Sequence, residues 1–553
     1  MTSKPPGGVG TAYQDTFASD NLPSAETLSK IDFSGTPELA TYPDHMNIAT
    51  ELLDKAVAEG FGDNPVLHLA ATTWTYHELL DRANRVAEVL TEDCGLMTGN
   101  RVLLRAPNTP MLVAAWFGVQ KAGGICVATM PLLRARELQY VIEKAQVSIA
   151  LCDIELAEEM VGALELTDSI THTFYFSKTG TGGEAATLET AGDDKSGQFE
   201  TANTAADDVA LIAFTSGTTG KPKGAVNFHR DVMASADTFA RYVGKITPDD
   251  IITGTPPLAF TFGLGGILIF PMLFRASTRF LESPLPNDIL ETIQQYKITQ
   301  IYSAPTAYRA MADIAGDYDI SSLRQGVSAG ETLPKATWEA FRKATGIRLI
   351  DGLGSTEMFQ IFISASPEEM RPGFTGKAIP GYRARVVDDS GNEVPPGTPG
   401  QLAVQGPTGC KYLDDPDRQP VYVKDGWNYP GDIYEMDEDG YFKYVARADD
   451  MIISSGYNIS GPEVESVLLE HEAVAECAVI ASPDPQRGNI VKAIIVLRTG
   501  FDGTNDLIKT LQDFAKKEIA PYKYPRAIAF IEELPKTQTG KLQRYRLRDL
   551  ETS

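Results

Sequence analysis

The chain has 553 residues, 43 % hydrophobic and 22 % charged, which is the composition of a folded globular protein long enough for more than one domain. A formal charge of −25 excludes general binding to nucleic acid or to an anionic membrane surface. No apolar run approaches the ~20 residues that span a bilayer, and five scattered cysteines and six dispersed histidines supply neither a disulfide frame nor a paired metal spacing.

In chain order, Met1 to Ser34 mixes Pro, Gly, Ser, Thr and acids without the basic-then-apolar layout of a secretion signal. Residues 1–35 are therefore expected to form a tail or loosely packed arm, and the unpaired thiols suit a cytoplasmic setting. Residues 74–91 predict an amphipathic helix, Arg101 to Ala106 a buried strand, and Pro110 to Lys121 a helix ended by Gly123-Gly124. Ile125 to Thr129 predicts a strand, Glu137 to Ala145 a helix and Val147 to Cys152 a strand, which completes a βαβαβ unit and implies a parallel, doubly wound sheet. Lys178 to Asp208, rich in Gly, Ala, Thr and acids, is expected to be a mobile surface excursion. The alternation returns as helix 286–296, strand 300–304, helix 306–315, strand 323–328, helix 337–345 and strand 347–351. After about residue 380, hairpin signals at Asp389-Ser390-Gly391 and at Asp437 to Gly440 predict a smaller β-rich subdomain. From Asp449 the texture becomes mixed strand and helix, with Pro462-Glu463 starting a helix. The expected fold is α/β: a large domain over 36–448 with doubly wound sheets and a β-rich part, then a small α+β domain over 449–553.

The most specific stretch is Phe214-Thr215-Ser216-Gly217-Thr218-Thr219-Gly220-Lys221-Pro222-Lys223-Gly224, set between two strand-like runs. Three glycines, four hydroxyl residues and two lysines suit wrapping a polyphosphate: glycines admit the ligand to the backbone, hydroxyls and amides donate, and ammonium groups offset charge. The Walker A pattern needs Gly where Thr215 stands and Ser or Thr where Pro222 stands, and proline has no N–H to give a phosphate. A P-loop ATPase is thus the weaker alternative. With so acidic a chain, cations for anionic substrates must be local, and the tail supplies them at Lys516, Lys517, Lys523, Arg526, Lys536, Lys541, Arg544, Arg546 and Arg548.

Two further loops should meet the first at the carboxyl ends of strands, where open α/β sheets bind ligands. They are Ser328-Ala329-Gly330-Glu331 and Asp351-Gly352-Leu353-Gly354-Ser355-Thr356-Glu357. Small residues admit a flat base, Thr356 can donate to a phosphate oxygen, and Glu357 can hold magnesium.

Together with Tyr429-Pro430-Gly431-Asp432, Arg447-Ala448-Asp449-Asp450, Ser454-Ser455-Gly456-Tyr457-Asn458 and Pro535-Lys536-Thr537-Gln538-Thr539-Gly540-Lys541, these loops resemble the ordered motifs of the adenylate-forming enzymes over residues 74 to 548. That superfamily includes acyl-CoA synthetases, luciferases and peptide-synthetase adenylation domains. The resemblance implies ATP, Mg2+ and coenzyme A as cofactor and substrates, and a carboxylic acid activated to an acyl adenylate before transfer to the thiol. It implies that Thr215, Ser216, Gly217, Thr218, Thr219 and Lys223 bind ATP, with Thr218, Thr219 and Lys223 on the β- and γ-phosphates and Thr218 and Glu357 toward the metal. It gives Gly330, Glu331, Asp351, Gly352 and Leu353 to the nucleotide, Thr356 to the α-phosphate, Asp432 and Arg447 to the ribose, and Lys541 to catalysis of adenylation. Asp449 would be the hinge of a mobile C-terminal lid, with Ser455, Gly456 and Tyr457 lining the coenzyme path after the lid rotates. Related enzymes are acetylated at the Lys541 position, so a lysine acetyltransferase is an expected partner. A homodimer is compatible with the resemblance.

The acyl pocket is expected around Pro257 to Gly266, with Phe260, Phe262, Gly263, Ala329 and Gly354 as its walls. No charged residue there would meet a second carboxylate, which disfavours a dicarboxylic acid. Leu353 in place of an aromatic, and Ala446 to Glu465 with its Ser-Gly-Tyr-Asn-Ile core, are similar to benzoate- and 2-aminobenzoate-CoA ligases. An aromatic acid is expected, with a medium-chain fatty acid as the alternative; a carrier-protein-loading domain is the more distant one.

Overall fold

Short apolar runs separated by capped helices build the large domain. The computed structural model describes residues 10–70, 72–183, 185–215, 222–447, 451–454, 457–484, 488–519, 521–536 and 542–552. Among these residues one sheet has six strands in the order His172–Phe176, Ile149–Asp153, Arg101–Arg105, Ile125–Thr129, Val209–Thr215, Lys223–Phe228. All neighbours are parallel except the last pair, which is antiparallel. A second sheet of nine strands has Ile251–Gly254, Gln300–Ser303, Gln325–Ala329 and Leu349–Gly354 running parallel at its centre. Proline opens the helices Pro110–Lys121, Pro286–Tyr296 and Pro305–Ile314, where its missing N–H costs nothing. The two sheets and the helices over them share a continuous buried core.

The β-rich part, from Arg383–Val387 to Phe442–Arg447, is antiparallel throughout, and its hairpin at residues 437–440 is closed by Asp437, whose carboxylate accepts from the Asp439 and Tyr441 amides. The small domain has its own core, including Val464, Leu468, Val479, Ile495 and Leu511, beneath the antiparallel strands Val474–Asp484 and Gly488–Leu497. No helix among the described residues is long and apolar enough to cross a membrane.

The structure departs from the sequence expectation in four places. The helix expected from residue 74 begins at Tyr76, because Thr73–Thr75 is a strand antiparallel to Pro65–His68 and Thr75 forms a capping box with Glu78. The loop expected to follow strand 347–351 starts later, since the strand runs through Gly354. The arm is docked from residue 11 onward: the Thr11 hydroxyl bonds Asp208, Arg101 pairs with Asp15, and Ala18 is fully buried. Residues 178–208 are also docked, despite their lack of large apolar side chains. Helix Thr187–Asp193 buries Leu188, and the Glu88 carboxylate accepts from the amides of Ser196 and Gly197 at 3.2 and 2.9 Å. Arg85 donates to the carbonyls of Gly192 and Lys195. Polar pairing with a neighbouring helix adds to the burial of Leu188 here, a signal that composition does not carry. Glu88→Ala is expected to lower the unfolding free energy by about 2 kcal/mol, measured by urea denaturation, because two amides and a hydroxyl lose a charged acceptor.

Candidate active site

The phosphate-type loop leaves the inner strand Val209–Thr215 and re-enters its antiparallel partner at the sheet edge, Lys223–Phe228, with Thr215 paired opposite Lys223. Ser216, Gly217, Thr218 and Thr219 lie outside the described residues, as do Asp449, Ser455, Gly456 and Lys541. What can be seen is how the loop's second strand is backed. Residues 411–413 run along it: the Val226 amide donates to the Lys411 carbonyl and the Leu413 amide to the Gly224 carbonyl. This brings the Tyr412 hydroxyl 3.4 Å from Lys223 Nζ, and the same hydroxyl donates to Glu357 Oε1 at 2.7 Å. Lys411 forms a 2.9 Å ion pair with Asp231, both buried, and Asp231 also accepts from the Phe228 amide.

Thr356 and Glu357 open a single 3-10 turn after the strand Leu349–Gly354. The Ser355 hydroxyl caps that turn by accepting from the Met358 amide and meets the Tyr422 hydroxyl at 2.8 Å. Phe359, buried with φ at 71°, ends the turn in the left-handed region, a strained conformation for a bulky residue. Leu353 is half-buried, and Gly352 pairs in register with Ala329. Gly330, with φ at 86°, follows directly.

Asp351 is placed differently from expectation. Its carboxyl is buried beside Thr375 and close to Tyr434, and burial holds it well above the usual carboxylate range. The side chain faces the interior, so a nucleotide contact would have to come from its backbone. Glu331 too makes a contact the sequence did not announce: Oε1 accepts from the Leu542 amide at 2.9 Å, tying the strand-end loop to the small domain one residue past Lys541. Arg309 of helix Pro305–Ile314 donates to the carbonyls of Leu469 and Val474, and Arg498 pairs with Asp313, which seats the small domain over that helix.

Asp432 and Arg447 face each other across an antiparallel pair, with Arg447 Nη1 3.2 Å from Asp432 Oδ1 and 2.8 Å from the Pro430 carbonyl. Gly431 sits between them at φ 83°, and a Cβ there would lie 3.0 Å from the guanidinium. Tyr457 is in the short strand Tyr457–Ile459, paired with Ile452–Ser454.

Around residues 257–266 the chain turns tightly; a Cβ on Gly263 would lie 2.1 Å from the Pro257 carbonyl oxygen. Gln360 holds the turn by donating to the carbonyls of Thr261 and Phe262. The two phenylalanines do not form one slot. Phe262 stacks obliquely on Tyr302 at 6.0 Å, whereas Phe260 borders an apolar cavity with Trp116, Cys126, Leu211, Leu258 and Leu264.

One side chain in this set escaped the sequence reading altogether. Tyr412 is separated from Lys223 by 189 residues and belongs to no motif used above, so only the strand pairing of 411–413 reveals it.

Comparison with known proteins decides what these loops belong to. The profile of the AMP-binding enzyme family matches residues 54–411, and that of its C-terminal domain matches residues 463–541. The chain belongs to the AMP-binding enzymes. It is 34 % identical to a benzoate–CoA ligase of Thauera aromatica, with 94 % of this chain and 99 % of the relative covered. It is 33 % identical to the mitochondrial acyl-coenzyme A synthetase ACSM3 of Pongo abelii, over 99 % of this chain and 96 % of the relative. Among solved structures, the anthranilate CoA ligase AuaEII in complex with anthranoyl-AMP superposes with a TM-score of 0.88 at 32 % identity, covering 93 % of this chain and 98 % of that one. The α/β fold with two large sheets and a β-containing C-terminal domain is thus that of the adenylate-forming enzymes. This AMP-binding enzyme is an acid–thiol ligase that uses ATP and coenzyme A and works through an acyl adenylate.

Proposed function

We propose that the acid activated is aromatic, of the benzoate or 2-aminobenzoate type. The observation that carries this reading is the superposition, over nearly the whole chain, on a ligase whose structure holds anthranoyl-AMP. The apolar surroundings of Phe260 and the absence of charge from Pro257 to Gly266 agree with it. A second reading, a medium-chain aliphatic acid, is favoured by the nearly equal identity to an acyl-coenzyme A synthetase. The test is kcat/KM across benzoate, 2-aminobenzoate, phenylacetate, hexanoate and octanoate. We expect the aromatic acids to exceed octanoate by at least about tenfold, since apolar pockets discriminate shape by roughly 1–3 kcal/mol. A preference for octanoate would overturn the aromatic reading and leave the reaction class intact.

In the mechanism, the carboxylate attacks the α-phosphorus of ATP, pyrophosphate leaves, and the coenzyme thiol then displaces AMP from the acyl adenylate. Thr218, Thr219 and Lys223 grip the departing pyrophosphate, Thr356 donates to the α-phosphate, and Lys541 aligns carboxylate and phosphorus, where charge develops. Asp432 and Arg447 hold the ribose hydroxyls. Among the described residues no group of three or more His, Cys, Asp or Glu gathers to cage a metal. Magnesium is commonly held by one or two carboxylates plus substrate phosphates, and Glu357, in the turn that follows the strand Leu349–Gly354, would supply the carboxylate. Magnesium bound there offsets charge on the phosphates. Residues 449–553 form the lid and Asp449 its hinge; rotation removes Lys541 and brings Gly456 toward the thiol path. Acetylation of Lys541 would remove its charge and silence adenylation. Gly431→Ala is expected to push Arg447 from Asp432 and raise KM for ATP by about tenfold, as a lost charged contact of ~1.4 kcal/mol would; steady-state kinetics at saturating acid reads this.

A further inference from the structure

The two nucleotide loops of this enzyme are bridged by a side chain that no family motif quoted above contains. Tyr412 is 1 % exposed, and its hydroxyl lies 3.4 Å from Lys223 Nζ on one side and 2.7 Å from Glu357 Oε1 on the other. Everything around it limits its movement. Its backbone amide donates to Gln419 Oε1, its residue bridges to Ala225, and the amides of Val226 and Leu413 lock its flanks to the phosphate-loop strand. Its ring meets Tyr422 edge-on at 6.0 Å, and Tyr422 in turn meets the Ser355 hydroxyl at 2.8 Å. A donor so fixed occupies Oε1 and limits the rotamers open to Glu357, leaving Oε2 as the oxygen this bond does not engage. Loss of an outer partner of this kind typically weakens metal binding by roughly 10–100-fold.

We propose that Tyr412 is a positioning residue for divalent-cation binding at Glu357, and that through Lys223 it couples the cation site to the pyrophosphate grip. The proposal rests on the reading of Glu357 as the cation's carboxylate.

The experiment is Mn2+ binding to the full-length enzyme with α,β-methylene-ATP present, followed by loss of the free Mn2+ electron paramagnetic resonance signal. No turnover is involved. Tyr412→Phe keeps the ring, its contact with Tyr422 and its face toward Lys223, and removes only the hydroxyl, which donates to Glu357 and accepts from Lys223. It is expected to weaken Mn2+ binding by about tenfold. Glu357→Gln should weaken it at least as much, and the double variant no more than Glu357→Gln alone, because the tyrosine acts through the carboxylate. Wild-type Mn2+ affinity in Tyr412→Phe with weakened affinity in Glu357→Gln would overturn the role of Tyr412 alone. Unchanged affinity in Glu357→Gln would overturn the assignment of Glu357. Additive losses in the double variant would overturn the coupling through the carboxylate.

Discussion

Replacing Lys541 by alanine is expected to slow acyl-adenylate formation by about a thousandfold while sparing thioester formation from supplied acyl adenylate. On the proposed mechanism, the first half-reaction needs a preorganised cation where charge builds on the α-phosphorus, and the second, in the proposed rotated arrangement, does not. The described residues on either side of 537–541 are tied to the small domain. Lys536 and Leu542 bridge to each other, Lys536 pairs with Glu476 at 2.6 Å, and Arg544 grips Glu465 through two contacts of 2.8 and 2.7 Å. The Leu542 amide then reaches Glu331 on the large domain. Pyrophosphate–ATP exchange reads the first half-reaction and thioester absorbance the second. Equal loss in both would sink the two-arrangement assignment. Glu331→Ala, which removes the acceptor of the Leu542 amide, should reduce exchange by about tenfold, consistent with one charged acceptor of an amide.

The second large effect is on stability. Asp231→Ala is expected to cost ~4 kcal/mol, read by urea denaturation, because it strands the Lys411 ammonium in the interior. Lys411 keeps its 2.8 Å bond to the Gly409 carbonyl and its position over the Phe228 ring, but neither replaces a carboxylate. A double variant with both charges replaced by apolar residues, Asp231→Leu with Lys411→Met, should recover most of that loss. If Asp231→Ala alone costs under about 1 kcal/mol, the pair is not what anchors residues 411–413 to the phosphate-loop strand.

The sequence made visible those parts of the molecule whose cause is local. Helix Pro110–Lys121 was legible because Thr109 caps it and proline opens it, and helix Pro286–Tyr296 because an apolar stripe begins at a proline. The strand Thr73–Thr75 was not, since three residues beside a helix cap take their state from the Pro65–His68 partner. Residues 178–208 misled through composition, because hydrogen bonds with Glu88 and Arg85 supplement the small apolar area that Leu188 buries. At the active site, glycine-rich loops announce themselves, as their conformations are written in adjacent residues. The contacts of Tyr412 with Glu357 and Lys223, of Leu542 with Glu331, and of Asp351 with the interior depend on segments distant in the chain. No local pattern encodes them.

The most direct test of the account uses 2-aminobenzoate labelled with 18O in its carboxylate, incubated with ATP, Mg2+ and coenzyme A. An acyl adenylate that is then attacked by the thiol must leave one carboxylate oxygen on AMP, so the account predicts 18O in AMP, unlabelled pyrophosphate and one AMP per thioester formed. Label in inorganic phosphate with ADP as co-product would contradict it, since the acid would then have attacked the γ-phosphorus and the loop from Thr215 to Lys223 would be gripping the wrong leaving group.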